Sequence, residues 1–244
     1  MRTLHGIGYS GWTEKARWAL DHHRVAFRYR EHVPLTGELG LRWRTPRGVR
    51  PSVPQLADEG GVITGSFNIA KRAEEVGQGA PLFPQDALEL ISRWEETSDR
   101  VLGVARAQFI TGLLRNPRAQ KESLPSFVPG WLGGVMAPSV RMGANFIARK
   151  HKAAFDVEGA IQQTVVPALE QLRAELGGRP YLKGGFTYAD INAAAMLQML
   201  RPAEDRYMPL GAGTREVWTN APLADRFPDL LEWRDGLYAK HRKP

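Results

Sequence analysis

The order of hydrophobic patterns most narrows the folds open to this chain. Alternating, strand-like segments fall only within the first 64 residues, and from about residue 86 onward the pattern is helical. Residues 3–8 predict a strand, 13–23 an amphipathic helix with Ala16, Trp18, Ala19 and Leu20 inward, and 26–33 a second strand. A Gly- and Arg-rich loop leads to a strand over 52–57 that is entered through proline. Glu59-Gly60-Gly61 predicts a tight turn, Val62-Ile63-Thr64 a fourth strand, and Ser66 caps a helix to about Glu75. Residues 77–84, rich in Gly and Pro, read as a linker.

Beyond the linker, helices are expected over 86–114, over 130–152 with Pro138 interrupting, over 157–176, from Thr187 to about Leu200, and over 227–240. Thr187 with Asp190 three residues on is a capping-box variant, Asp standing for the usual Glu. No internal repeat or low-complexity segment interrupts this order.

Composition removes several classes of chemistry. The absence of cysteine excludes disulfides, thiolate metal sites and a protein-borne thiol nucleophile, so any thiol must arrive with a ligand. No run approaches the roughly 20 apolar residues that span a bilayer, and the N-terminus lacks a basic segment followed by an apolar core; no membrane partner and a cytoplasmic location are expected. The net charge of +7 invites a nucleic-acid reading. The 25 Arg among 33 basic residues are scattered between Asp and Glu, however, and no nucleic-acid partner is expected. His22 and His23 are adjacent and face different sides of their helix, which makes a poor metal pair, so no metal site is expected.

The segment Tyr9-Ser10-Gly11-Trp12-Thr13 carries the chemistry. A helix N-terminus has unpaired N–H groups and a positive dipole end, so an anion such as a thiolate is favoured beside Ser10. Ser10 has two readings, a helix cap or a donor to a bound sulfur. Tyr9 and Thr13 compete for the donor role, Thr13 also reading as a helix cap. Trp12 reads as a cleft wall or a packed aromatic.

Four motifs together carry a resemblance. Ser10-x-x-Thr13-x-Lys15-x-Arg17-x-x-Leu20, then Val53-Pro54-Gln55-Leu56, then Gly65-Ser66, then Tyr181-Leu182-x-Gly184 with Thr187-x-x-Asp190, resemble the cytosolic glutathione S-transferases in order and spacing. The resemblance implies an α/β N-terminal thioredoxin-like domain over 1–79 that holds glutathione as co-substrate. It also implies an all-α C-terminal domain over 86–244 that shapes the acceptor pocket for a small-molecule electrophile, and a homodimer. Ser10 is similar to the active-site serine of the zeta, theta and tau classes. A free thiol has a pKa of about 8.5, and lowering it two units takes about 2.7 kcal/mol of preference for the thiolate. A serine hydrogen bond together with a helix N-terminus is of the right size to supply it.

The same resemblance implies a cis Pro54, with the backbone of Val53 pairing with the cysteinyl part of the tripeptide. It implies that Ser66 and the N–H of Phe67 hold the γ-glutamyl carboxylate, and that Arg50, the last of Arg42, Arg44, Arg47 and Arg50, meets the glycyl carboxylate. Tyr9 and Trp12 complete the cofactor-binding set. Gly65 departs from the family, which usually has an acidic residue facing the ligand's ammonium. Phe109, Leu113, Met136, Met142 and Phe146 are candidates for the acceptor pocket, though residues of these types are more often core than pocket. Three functions remain open on these grounds: a detoxification-type transferase, a glutathione-dependent isomerase or lyase, and a non-catalytic binding module.

Overall fold

The computed structural model describes residues 1–33, 37–123, 142 and 156–243. The first half supplies one sheet of four strands, β1 (Arg2–Gly6), β2 (Phe27–Glu31), β3 (Gln55–Asp58) and β4 (Gly61–Thr64), in the order β2-β1-β3-β4. β1 is parallel to β2, with Leu4 opposite Tyr29, and antiparallel to β3, with Leu4 opposite Leu56. β3 turns back on β4 through Glu59-Gly60. The parallel pair needs a crossover, and α1 (Gly11–His22) makes it. Its inward residues Ala16, Trp18, Ala19 and Leu20 are fully buried, as the helical period predicts. α3 (Ser66–Val76) packs against α1.

The Arg-rich stretch contains an element that the sequence reading leaves as loop. Glu38–Arg44 is a two-turn helix, α2, with Arg42 and Arg44 in its last turn and Leu41 as its buried residue. One buried side chain in seven residues gives too little period to detect.

The second half is helical. α4 (Leu88–Arg115) runs 28 residues, about 42 Å at 1.5 Å per residue, and buries Trp94 completely. α5 (Pro117–Glu122) follows at once, capped by the Asn116 side chain. The expected helix over 157–176 is one run: α6 (Val157–Ala160), a π turn (Ile161–Val165), then α7 (Val166–Leu176). The wider turn comes just before Pro167, whose missing N–H and ring bulk an α turn would not accommodate. α8 (Tyr188–Met196) is buried on every side and starts at the expected capping box of Thr187 and Asp190. α9 (Ala212–Trp218), α10 (Ala221–Arg226) and α11 (Pro228–His241) complete the chain. The helix expected over 130–152 lies outside the described residues apart from Met142. Among the described residues no helix is long and apolar enough to cross a membrane.

The two halves share buried charge. Lys15 of α1 is fully buried and its Nζ lies 2.9 Å from Glu95 and 3.1 Å from Asp99, both on α4. Glu14, its neighbour, pairs at 2.7 Å with Arg242 beyond α11, both side chains 1% exposed. Arg242 also reaches Asp21 at 2.6 Å, and the Trp18 indole donates to the His241 carbonyl at 3.1 Å. The end of the last helix and the residue after it are thus tied to α1 between Glu14 and Asp21.

Candidate active site

α1 starts at Ser10, whose backbone is extended and whose carbonyl accepts the first helical bond from Glu14. Its hydroxyl makes no capping bond and has no partner among the described residues. Thr13 instead braces the preceding loop, its Oγ1 accepting from the Ile7 N–H at 3.1 Å. Thr13 is fully buried and is absent from the cavity wall, which removes it from the contest for ligand contact.

Ser10 opens onto a cavity of about 440 Å3. Its wall takes Ile7 and Tyr9 to Trp12 from the β1–α1 junction, His32 after β2, Glu38 and Leu41 from α2, Ser52 to Pro54 ahead of β3, Gly65 to Phe67 at the start of α3, a stripe of α4, and Trp218 from α9. Seven of the expected site residues, Tyr9, Ser10, Trp12, Val53, Pro54, Ser66 and Phe67, therefore meet around one space. The Val53–Pro54 peptide is cis. Arg50 is exposed and is not part of the wall, though its charge acts on Arg106. The N-termini of two helices longer than ten residues, α1 and α3, open on the cavity, and both favour bound anions.

Gly65 has a conformational reason. Its φ is +85°, a region where side-chain-bearing residues are rare, while a Cβ there would meet no atom within 4 Å. Backbone shape rather than lack of space favours glycine. Gly11, at the first turn of α1, is the opposite case: a Cβ there would come within 2.4 Å of Leu102 Cδ2, so glycine lets α1 approach α4 closely.

The α4 stripe is the part of the site that sequence reasoning missed. Glu95, Asp99, Leu102, Arg106, Phe109 and Ile110 recur at the spacing of one helical face and all line the cavity. The signal was present: three charged residues in register with a face that is otherwise apolar. Trp12 donates from its indole to Asp99 at 2.8 Å, and the Arg106 guanidinium lies 5.0 Å over the Trp12 ring. Burial raises the Glu95 carboxyl, opposed by Lys15. Burial, helped by the Arg50 charge and opposed by Asp99, brings the Arg106 guanidinium down to about 10, so it stays cationic at neutral pH.

Apolar surface comes from Tyr9, Phe109 and Trp218. Phe109 stacks on Trp218 at 4.8 Å, and the Tyr9 ring lies 5.0 Å from Phe109 and 6.0 Å from Trp218. Burial, with the Glu31 charge adding, pushes the Tyr9 phenol up to about 12, which leaves it a neutral donor at physiological pH. Of the residues expected to line an acceptor pocket, Phe109 does so, Leu113 is core, and Met142 is exposed. Met136 and Phe146 lie outside the described residues.

A family model described as the glutathione S-transferase N-terminal domain matches residues 4–80, and one described as the glutathione S-transferase C-terminal domain matches 144–236. The chain belongs to the glutathione S-transferase family. Its fold, a small mixed sheet followed by a helical domain, is the glutathione transferase fold. A search of curated proteins finds no match.

Among solved structures, a β-etherase from Sphingobium sp. is 19% identical with a TM-score of 0.64, over 98% of this chain and 95% of that one. A glutathione S-transferase from Methylobacterium radiotolerans, in complex with glutathione sulfonate, is 18% identical with a TM-score of 0.60, over 99% and 94%. One from Methylobacillus flagellatus, with glutathione bound, is 18% identical with a TM-score of 0.57, over the full length of both. At these identities the likeness is one of fold.

Proposed function

We propose that this glutathione S-transferase family member uses Ser10 to stabilise the thiolate of bound glutathione for attack on an electrophilic, largely apolar substrate. The observation that carries the reading is the Ser10 hydroxyl, at a helix N-terminus but unused by its own helix, on the same cavity wall as Val53 and Ser66. In this reading the Val53 backbone pairs with the cysteinyl part. Ser66 and the Phe67 N–H hold the γ-glutamyl carboxylate. With Gly65 in place of an acidic residue, the ligand's ammonium would meet the wall carboxylates Glu38, Glu95 and Asp99, the last two of which it would share with Lys15. The thiolate forms a carbon–sulfur bond while the leaving group departs with its bonding pair, or adds to an activated double bond.

Two measurements test this. Glutathione at 100 times its Kd should stabilise the fold by about 2.7 kcal/mol, read as a rise in melting temperature. No rise at millimolar glutathione leaves the non-catalytic module as the surviving reading. Ser10→Ala should lower turnover about 10²-fold, the scale of losing one preorganised donor, with glutathione binding nearly unchanged. An unchanged rate moves the donor role to Tyr9, and Tyr9→Phe then carries the loss.

The similarity in fold to a β-etherase favours testing a second outcome, in which the thiol adds and bond cleavage or isomerisation follows. A stable thioether in the product identifies transfer, and an unconjugated isomer or cleaved fragment identifies the lyase or isomerase reading. A homodimer is part of the proposal and predicts a solution mass of twice the 27.2 kDa chain.

A further inference from the structure

Arg106 is a cation of the cavity wall that forms no ion pair among the described residues, the Asp99 charge acting on it only from a distance. The acidic members of the same stripe are already engaged: Lys15 holds Glu95 and Asp99, and the Trp12 indole donates to Asp99 as well. Arg106 makes no ion pair or hydrogen bond with the described residues, and its Nε is buried without an acceptor. Trp218, on the same wall, carries a second buried donor without an acceptor, its Nε1. These two donors lie beneath the cavity surface, and what the wall itself presents is a guanidinium charge without an ion-pair partner, which a ligand anion would offset.

The position of Arg106 says which part of a ligand this is. The α3 N-terminus, with Ser66 and Phe67, already provides an anion site at its own end of the cavity. Arg106 lies instead against Trp12, on the helix that also carries Phe109. Phe109 and Trp218 stack on each other at 22°, so together they form one block of apolar wall beside it. A planar guanidinium suits a planar carboxylate, which accepts two parallel hydrogen bonds.

We propose that the acceptor is an aromatic carboxylate, its ring packed against Phe109 and Trp218 and its carboxylate bound by Arg106. This rests on the reading of the cavity as the place where glutathione meets its acceptor, and it makes Arg106 a specificity-determining residue rather than a catalytic one.

The test uses unreactive probes, so that it does not depend on turnover. Binding of 4-nitrobenzoate and of its neutral counterpart 4-nitrobenzamide is measured by isothermal titration calorimetry on the full-length protein. Wild type should bind the carboxylate at least about tenfold more tightly, a difference of about 1.4 kcal/mol. Arg106→Leu should bring the two within about twofold, and Arg106→Lys should keep a reduced preference. Both variants should retain the wild-type melting-temperature rise with glutathione, which reports their folding and the tripeptide site together. If Arg106→Leu does not fold, the reduced preference in Arg106→Lys carries the test alone.

Equal affinity of wild type for the two probes, failure of wild type to bind either, an undiminished preference in Arg106→Leu, or an undiminished preference in Arg106→Lys overturns the proposal. So does loss of the glutathione response in a folded Arg106→Leu protein, because Arg106 would then serve the tripeptide. An Arg106-dependent preference in a protein that gives no glutathione response leaves the carboxylate site standing and removes the thiol reading instead.

Discussion

Ser10 and Gly65 illustrate how a residue's conformation narrows its job. Replacing a serine that caps a helix ordinarily costs about 0.5–2 kcal/mol. The Ser10 hydroxyl makes no such bond, so Ser10→Ala should change the unfolding free energy by less than about 0.5 kcal/mol in urea titration. A larger loss would mean that the hydroxyl supports the helix after all. Gly65→Ala meets no neighbour yet forces a side chain into a backbone region that glycine dominates, and should cost about 1–3 kcal/mol. A neutral result in the same titration would show that the loop relaxes without penalty. Restoring an acidic residue at 65 carries the same backbone cost, so any gain in glutathione affinity has to be weighed against it.

At the scale of elements, α8 is held at its start by a carboxylate in an awkward place. Asp190 accepts from the Leu182 N–H, the Thr187 N–H and the Thr187 hydroxyl at 2.8–3.0 Å. Burial outweighs these bonds and pushes its carboxyl up to about 6, from an ordinary 3.8. The native state therefore keeps a proton that the unfolded chain releases between those values. Its contribution to stability falls as pH rises from about 4 to about 6 and is flat above, at most about 3 kcal/mol in all. Asp190→Asn should abolish this slope, seen as a difference between the unfolding free energies of wild type and variant that changes between pH 4 and pH 6; parallel curves would refute it.

The capping box itself was legible in the sequence, because Thr187 and Asp190 are local and their spacing is diagnostic. So were the four strands, α1 and α3, whose apolar periods extend far enough to read. α2 was not, with a single buried residue, nor were α5, α9 and α10, each of seven residues or fewer. In the site, the residues on loops and helix starts carry recognisable motifs. Glu95, Asp99 and Arg106 do not, since on a long helix each resembles a solvated charge until the neighbouring half of the protein covers it.

On the scale of the whole molecule, buried charge makes the halves depend on each other. Arg242 and Glu14 are both 1% exposed, so removing Arg242 leaves Glu14 buried with only the more distant Arg17, at 4.0 Å, to offset its charge. Arg242→Ala should cost about 3–5 kcal/mol, read by urea or thermal unfolding, and a loss below 1 kcal/mol would mean that water reaches Glu14. A fragment holding only residues 1–80 should lack a cooperative unfolding transition, because Lys15 and Glu14 would lose their partners on α4 and beyond α11.

The tie between Glu14 and Arg242 also bears on how the protein is made. The two residues are 228 positions apart. At the usual 5–20 residues per second, Glu14 waits roughly 10–45 seconds for its partner to be synthesised. The sheet has all its strands well before then, yet α1 cannot bury its acidic face. The helix that presents Ser10 is therefore among the last parts of the molecule to settle. A ribosome that stalls in the helical half should release a chain that holds all four strand segments yet has no settled wall around Ser10.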